Sequence, residues 1–93
     1  MIVNVMTVKL YAPWVHSLKV KRKIVKSLCE RLANKFRVSV IESDAQDIHQ
    51  TIIISIAFLS NQASMADGMT EMIRNFIERS TDADIVDIWI EKR

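Results

Sequence analysis

Apolar and polar positions along the chain switch between two repeats, one of period two and one of period 3.6. Ile2 to Tyr11 alternates and is rich in Val and Ile, which predicts a β-strand. Pro13 stops it, because proline has no N–H to give to a strand ladder. Ser17 is a good helix cap, and the pattern that follows predicts a helix to about Phe36. On a helical projection Leu18, Val25, Leu28, Cys29, Leu32 and Phe36 share one face, with Ile24 on its flank. Val38 to Glu42 reads as a short strand, and the run Ser43-Asp44-Ala45-Gln46-Asp47 as a turn. His49 to Ser60 reads as a long β-branched strand. Asn61 is the expected cap of a second helix that ends near Ser80. Its apolar face is Met65, Met69, Met72, Ile73, Phe76 and Ile77. Gly68 lies inside that helix at a cost of about 1 kcal/mol against Ala. Ala83 to Glu91 alternates again, as a last strand.

The order β-α-β-β-α-β is the split βαβ plan of α+β, ferredoxin-like domains: a four-stranded antiparallel sheet with two helices on one face. Right-handed crossovers put strands one and three in the middle and two and four at the edges. A chain of 93 residues is about one small domain, so residues 1–93 are expected to share one core.

In this plan the uncovered sheet face should be polar. Here it is not. Ile52, Ile54, Ile56 and Phe58 form one face of the third strand, and Ile53, Ser55, Ala57 and Leu59 the other. The first strand sets Met6, Val8 and Leu10 against Val3 and Val5, and the last sets Val86, Ile88 and Ile90 against Ile85 and Trp89. A monomer would expose several hundred Å² of apolar surface, which proteins rarely leave bare. A second copy of the chain is the commonest cover. The expectation is therefore a homodimer that buries Ile53, Ala57, Leu59 and Trp89.

Composition removes several chemistries. One cysteine, Cys29, allows no disulfide framework and no Cys-based metal site within a chain, which fits a reducing cytoplasm. One glycine, Gly68, allows no glycine-rich phosphate loop. No apolar run reaches the length of a membrane span, and the interrupted N-terminus does not read as a signal peptide. His16, Asp44, Asp47 and His49 are the only candidates for a metal or acid–base cluster. Turn capping accounts for the two aspartates, so no catalytic, metal or cofactor residue is assigned and no enzyme is expected. Acylphosphatases carry a glycine-rich loop after the first strand, where this chain has Ala12-Pro13-Trp14-Val15-His16. RNA-recognition domains stack bases on aromatics of the central strands, where this chain offers only Tyr11 and Phe58.

Charge adds the functional lead. The chain is +2 overall, but His16 to Arg37 holds eight basic residues against Glu30 alone, a net of +7, and the rest is −5. On the helical projection Lys19, Lys23, Lys26 and Arg31 point away from the apolar face, with Arg22 at the margin. Such a face can track phosphates without reading sequence. RNA or the ribosome is the expected partner. An acidic protein, or a small ligand in a cleft between subunits, are the alternatives. Lys21 falls on the apolar arc, where it either snorkels or pairs with an acidic group at a subunit contact. Trp14 precedes the helix as an interface anchor or a staple over its start.

The strings Ser17-Leu18-Lys19-Val20-Lys21-Arg22, Leu28-Cys29-Glu30-Arg31-Leu32 and Phe36-Arg37-Val38-Ser39-Val40, followed by Glu42 and Asp47, resemble the bacterial YlxP-like family, a domain-of-unknown-function family of about this length. Arg37 departs from the family's usual Asn. The resemblance implies a ferredoxin-like fold, a dimer, no established enzymatic activity and a gene placed among transcription and translation factors. It assigns no functional residues.

Overall fold

The computed structural model describes all 93 residues. Their elements are β1 (Ile2–Tyr11), α1 (Leu18–Phe36), β2 (Ser39–Asp44), β3 (Thr51–Ser60), α2 (Ala63–Ser80) and β4 (Asp84–Lys92). The four strands form one antiparallel sheet in the order β2-β3-β1-β4, as the crossover argument requires. The central pair is continuous from Ile2 opposite Ser60 to Tyr11 opposite Thr51. Slipping it by one residue would turn Met6, Val8, Leu10, Ile52, Ile54 and Ile56 out of the core, so burial fixes the register.

Both helices cover the same sheet face. Val25, Leu28 and Leu32 of α1 and Ala66, Ile73 and Ile77 of α2 meet those six strand residues in one buried cluster. Phe36 and Phe76 close the helix pair edge to face, with centroids 5.5 Å apart. Near the N-terminal end of β1, Asn4 is also buried, and its amide donates to Phe58 O (3.2 Å) and Ser60 Oγ (3.0 Å).

The structure corrects the sequence reading at several points along the chain. β2 begins and ends one to two residues later than expected, and β3 starts at Thr51 rather than His49. Ala45 adopts a left-handed backbone (φ 56°) and turns the chain out of the sheet before β3. α2 is capped by Gln62 rather than Asn61, without a side-chain bond. Met65 and Met72 are exposed, because Ala66, Met69, Ile73, Phe76 and Ile77 already fill the stripe that faces the sheet. β4 carries a bulge: Lys9 pairs with Asp87 but Leu10 with Ile85, leaving Val86 extra. Ile85 and Ile88 therefore both pack against the core, and Val86 swings out to solvent.

α1 ends on Arg37, which is left-handed (φ 54°, ψ 47°) and donates its backbone N–H to Ala33 O (2.9 Å). A side chain in this conformation costs about 1–2 kcal/mol that glycine does not incur. Part of the gain from glycine is returned by its freer unfolded chain. We expect Arg37→Gly to raise the unfolding free energy by about 0.5–1 kcal/mol. In a urea titration the midpoint should rise at constant slope; a lowered midpoint would show that the arginine side chain stabilises the cap by more than its backbone costs.

Candidate nucleic-acid interface

α1 is set by Ser17, whose Oγ accepts from Val20 N (3.2 Å) and whose carbonyl accepts from Lys21 N (3.1 Å). From this fixed start, Lys19, Arg22, Lys23 and Lys26 fall on the side away from the sheet. They border one shallow concavity of about 450 Å³. All four are exposed. The chain has four ion pairs, Lys21–Glu42, Arg74–Glu78, Lys92–Asp67 and Arg93–Glu91, and none neutralises this cluster. The first turn of α1 also has no acidic residue. Lys19 lies in that first turn, where the helix dipole disfavours a cation, so its placement works against stability and adds to the attraction for anions.

Arg31 is held differently from the free face that the projection implies. Its Nε donates to Ser27 O and one Nη to Ser80 O, both at 3.3 Å, so it links α1 to the carbonyl end of α2. There it borders a second groove of about 420 Å³ with Lys23, Ser27, Arg79, Ser80 and Asp82. Sequence reasoning missed Arg79: it lies 48 residues from Arg31, and only the packing of α2 beside α1 brings the two together.

Lys21 has neither of its expected roles. Its side chain is 1% exposed, and it neither snorkels nor waits for a partner subunit. Nζ donates to Ala45 O and to Ile48 O (2.7 Å) and lies 3.0 Å from Glu42 Oε2. The ammonium thus ties α1 to the last part of β2 and to the turn beyond it. Its position in the basic string is structural, while its neighbours Lys19 and Arg22 stay in solvent. Burial pushes the nearby Cys29 thiol above its ordinary pKa, and the Glu42 carboxylate pushes it further. Cys29 is kept in the unreactive thiol form.

On the opposite side, Ile53, Ala57, Leu59 and Trp89 share the open face of the sheet, in register with Lys9, Val5, Val3 and Thr7 of β1. Leu59 and Ile41 are each 64% exposed. Val5, Ile41 and Ala57 line a dimple of about 220 Å³. A polar row crosses the middle: Thr7 Oγ1 and Ser55 Oγ are 2.9 Å apart, and Ser55 Oγ donates to Ser43 Oγ (2.7 Å). Trp14 is about half exposed in the turn before α1. His16, Asp44, Asp47 and His49 are exposed and do not converge, and Asp44 Oδ1 accepts from Ala45 N (2.7 Å). Neither helix is long and apolar enough to cross a membrane.

These features define a ferredoxin-like α+β domain with an unneutralised basic helix on one side and an open, largely apolar sheet on the other. The chain belongs to the family described as protein of unknown function (DUF503), whose model matches residues 3–90. No curated protein matches it.

Proposed function

We propose that this chain is a cytoplasmic, non-catalytic bacterial domain of the YlxP-like kind, which acts as a homodimer and contacts RNA or the ribosome through the basic face of α1. The observation that carries this reading is the cluster Lys19, Arg22, Lys23 and Lys26, gathered on one exposed face with no carboxylate partner. Isolated surface cations need no explanation. Four on one concavity, beside a helix start without acidic residues, make a counter-charge surface for phosphates.

The dimer rests on the other face. The residues of the four strands, each about 3.3 Å by 4.8 Å, present roughly 550 Å² per copy, so two copies joined bury about 1,100 Å², just above the roughly 1,000 Å² that a biological interface needs. Charge on this face nearly cancels, with Lys9 between Asp87 of β4 and Ile53 of β3. Two such faces meet without like-charge repulsion and leave both basic helices outward. Light scattering at micromolar concentration should then give about twice the 10.7 kDa chain mass. Leu59→Lys should return the chain mass with the fold retained. A wild-type monomer at high concentration, or an unchanged Leu59→Lys dimer, removes this face from the account.

Pull-down from a native bacterial lysate, with and without nuclease, tests the partner. Capture of ribosomal particles that nuclease abolishes is expected. Nuclease-resistant capture of one acidic protein would instead favour a protein-interaction module on the same helix.

A further inference from the structure

The groove between the middle of α1 and the end of α2 has a chemistry that the outer face of α1 lacks. Its cations come from two elements: Lys23 and Arg31 from α1 and Arg79 from α2. Arg31 is pre-aimed. Its two bonds, to Ser27 O and Ser80 O, fix the plane of the guanidinium and leave its remaining N–H groups for a ligand. Lys23 and Arg79 stand in no ion pair. Among these cations the groove holds one carboxylate, Asp82, which no cation of the chain neutralises.

A phosphate alone would be repelled by Asp82. A hydroxyl beside the phosphate offsets part of that repulsion, because the carboxylate accepts its O–H. We propose that this groove binds one ribose-phosphate unit of an RNA strand: Arg31, Lys23 and Arg79 hold the phosphate, and Asp82 accepts the ribose 2′-hydroxyl. This inference rests on RNA being the partner of α1 and deepens it by assigning the selection of RNA over DNA to one residue. The arrangement divides the work: Lys19, Arg22 and Lys26 attract any polyanion, whereas the groove reads the sugar. The 2′-hydroxyl is the group by which a protein can tell the two nucleic acids apart at a given site.

The test uses the full chain and two fluorescent 12-mers of one sequence, one RNA and one DNA, in anisotropy titrations at low salt. Neither Arg79 nor Asp82 belongs to the α1 face, so both report on the groove alone. The wild type should bind the RNA about fivefold more tightly, the worth of one hydrogen bond. Asp82→Ala should tighten DNA binding, because the repulsion is gone, and bring the RNA-to-DNA ratio close to one. Arg79→Glu should weaken RNA binding about tenfold, as expected for reversing a charged phosphate contact. Both residues are exposed, so circular dichroism should be unchanged. If both variants bind as the wild type does while Lys26→Glu loses affinity, the groove inference is overturned and the α1 reading stands. A wild type that binds neither oligomer overturns both. Uridine monophosphate added to the titration separates the sources of the phosphate: competition at micromolar concentration would mean a free-nucleotide site and would contradict the proposal.

Discussion

Lys21→Ala is expected to destabilise the domain by about 3–5 kcal/mol, the usual cost of removing one member of a buried ion pair. The ammonium has three partners on the far side of the α1–β2 contact: the carbonyls of Ala45 and Ile48 and the Glu42 carboxylate. Alanine leaves Glu42, only 17% exposed, without its counter-charge, and two carbonyls without their donor. The four-carbon stem also leaves a void among the core residues. For a domain stable by about 5–15 kcal/mol this is a large fraction of the whole. Lys21→Met should be milder, because it keeps the stem volume, although it too loses the charge and the donors to Ala45 O and Ile48 O. In thermal denaturation followed by circular dichroism, both variants should melt earlier, Lys21→Ala by more. Wild-type melting for both would mean that the clamp adds nothing to the fold.

The second large effect is on binding. Lys19→Glu, Lys23→Glu and Lys26→Glu together should weaken RNA binding at least about 100-fold at low salt, since three phosphate contacts are lost and three repulsions added. The fold should not suffer. Lys19 lies in the first turn of α1, where a carboxylate interacts with the helix dipole better than a cation does, by about 0.3–1 kcal/mol. The triple variant is therefore expected to be as stable as the wild type or more so. That opposition is informative: a surface that weakens its own helix and becomes more stable when reversed is not explained by folding.

Much of this was legible in the sequence, and the exceptions share a cause. Periodicity located all six elements, because ten-residue runs rich in β-branched residues are strand length and an apolar stripe over nineteen residues is helical. The two-faced sheet followed from Ile53, Ala57 and Leu59 alternating with Ile52, Ile54 and Ile56. The inward direction of Lys21 was legible from its angle on the helix. Its partners were not, because two of them are backbone carbonyls in a turn more than twenty residues away, and any residue carries a carbonyl. The placement of Ile85 failed at a bulge, where one unpaired residue inverts the alternation that the sequence displays. Met65 and Met72 failed because an apolar residue one position round the helix reads like its neighbour until the available width of the core is known. Arg37 gave no sign of its left-handed backbone in its own residue type.

The central claim is that unneutralised cations of α1 bind RNA phosphates, and salt tests it most directly. Affinity of the wild type for a single-stranded RNA 12-mer should be measured from about 50 to 300 mM monovalent salt. Four to six phosphate contacts predict a straight log–log plot with a slope of about −3 to −4. The same plot for the triple variant, if any binding remains, should be much flatter. A wild-type slope near zero, or no binding at the lowest salt, would contradict the account.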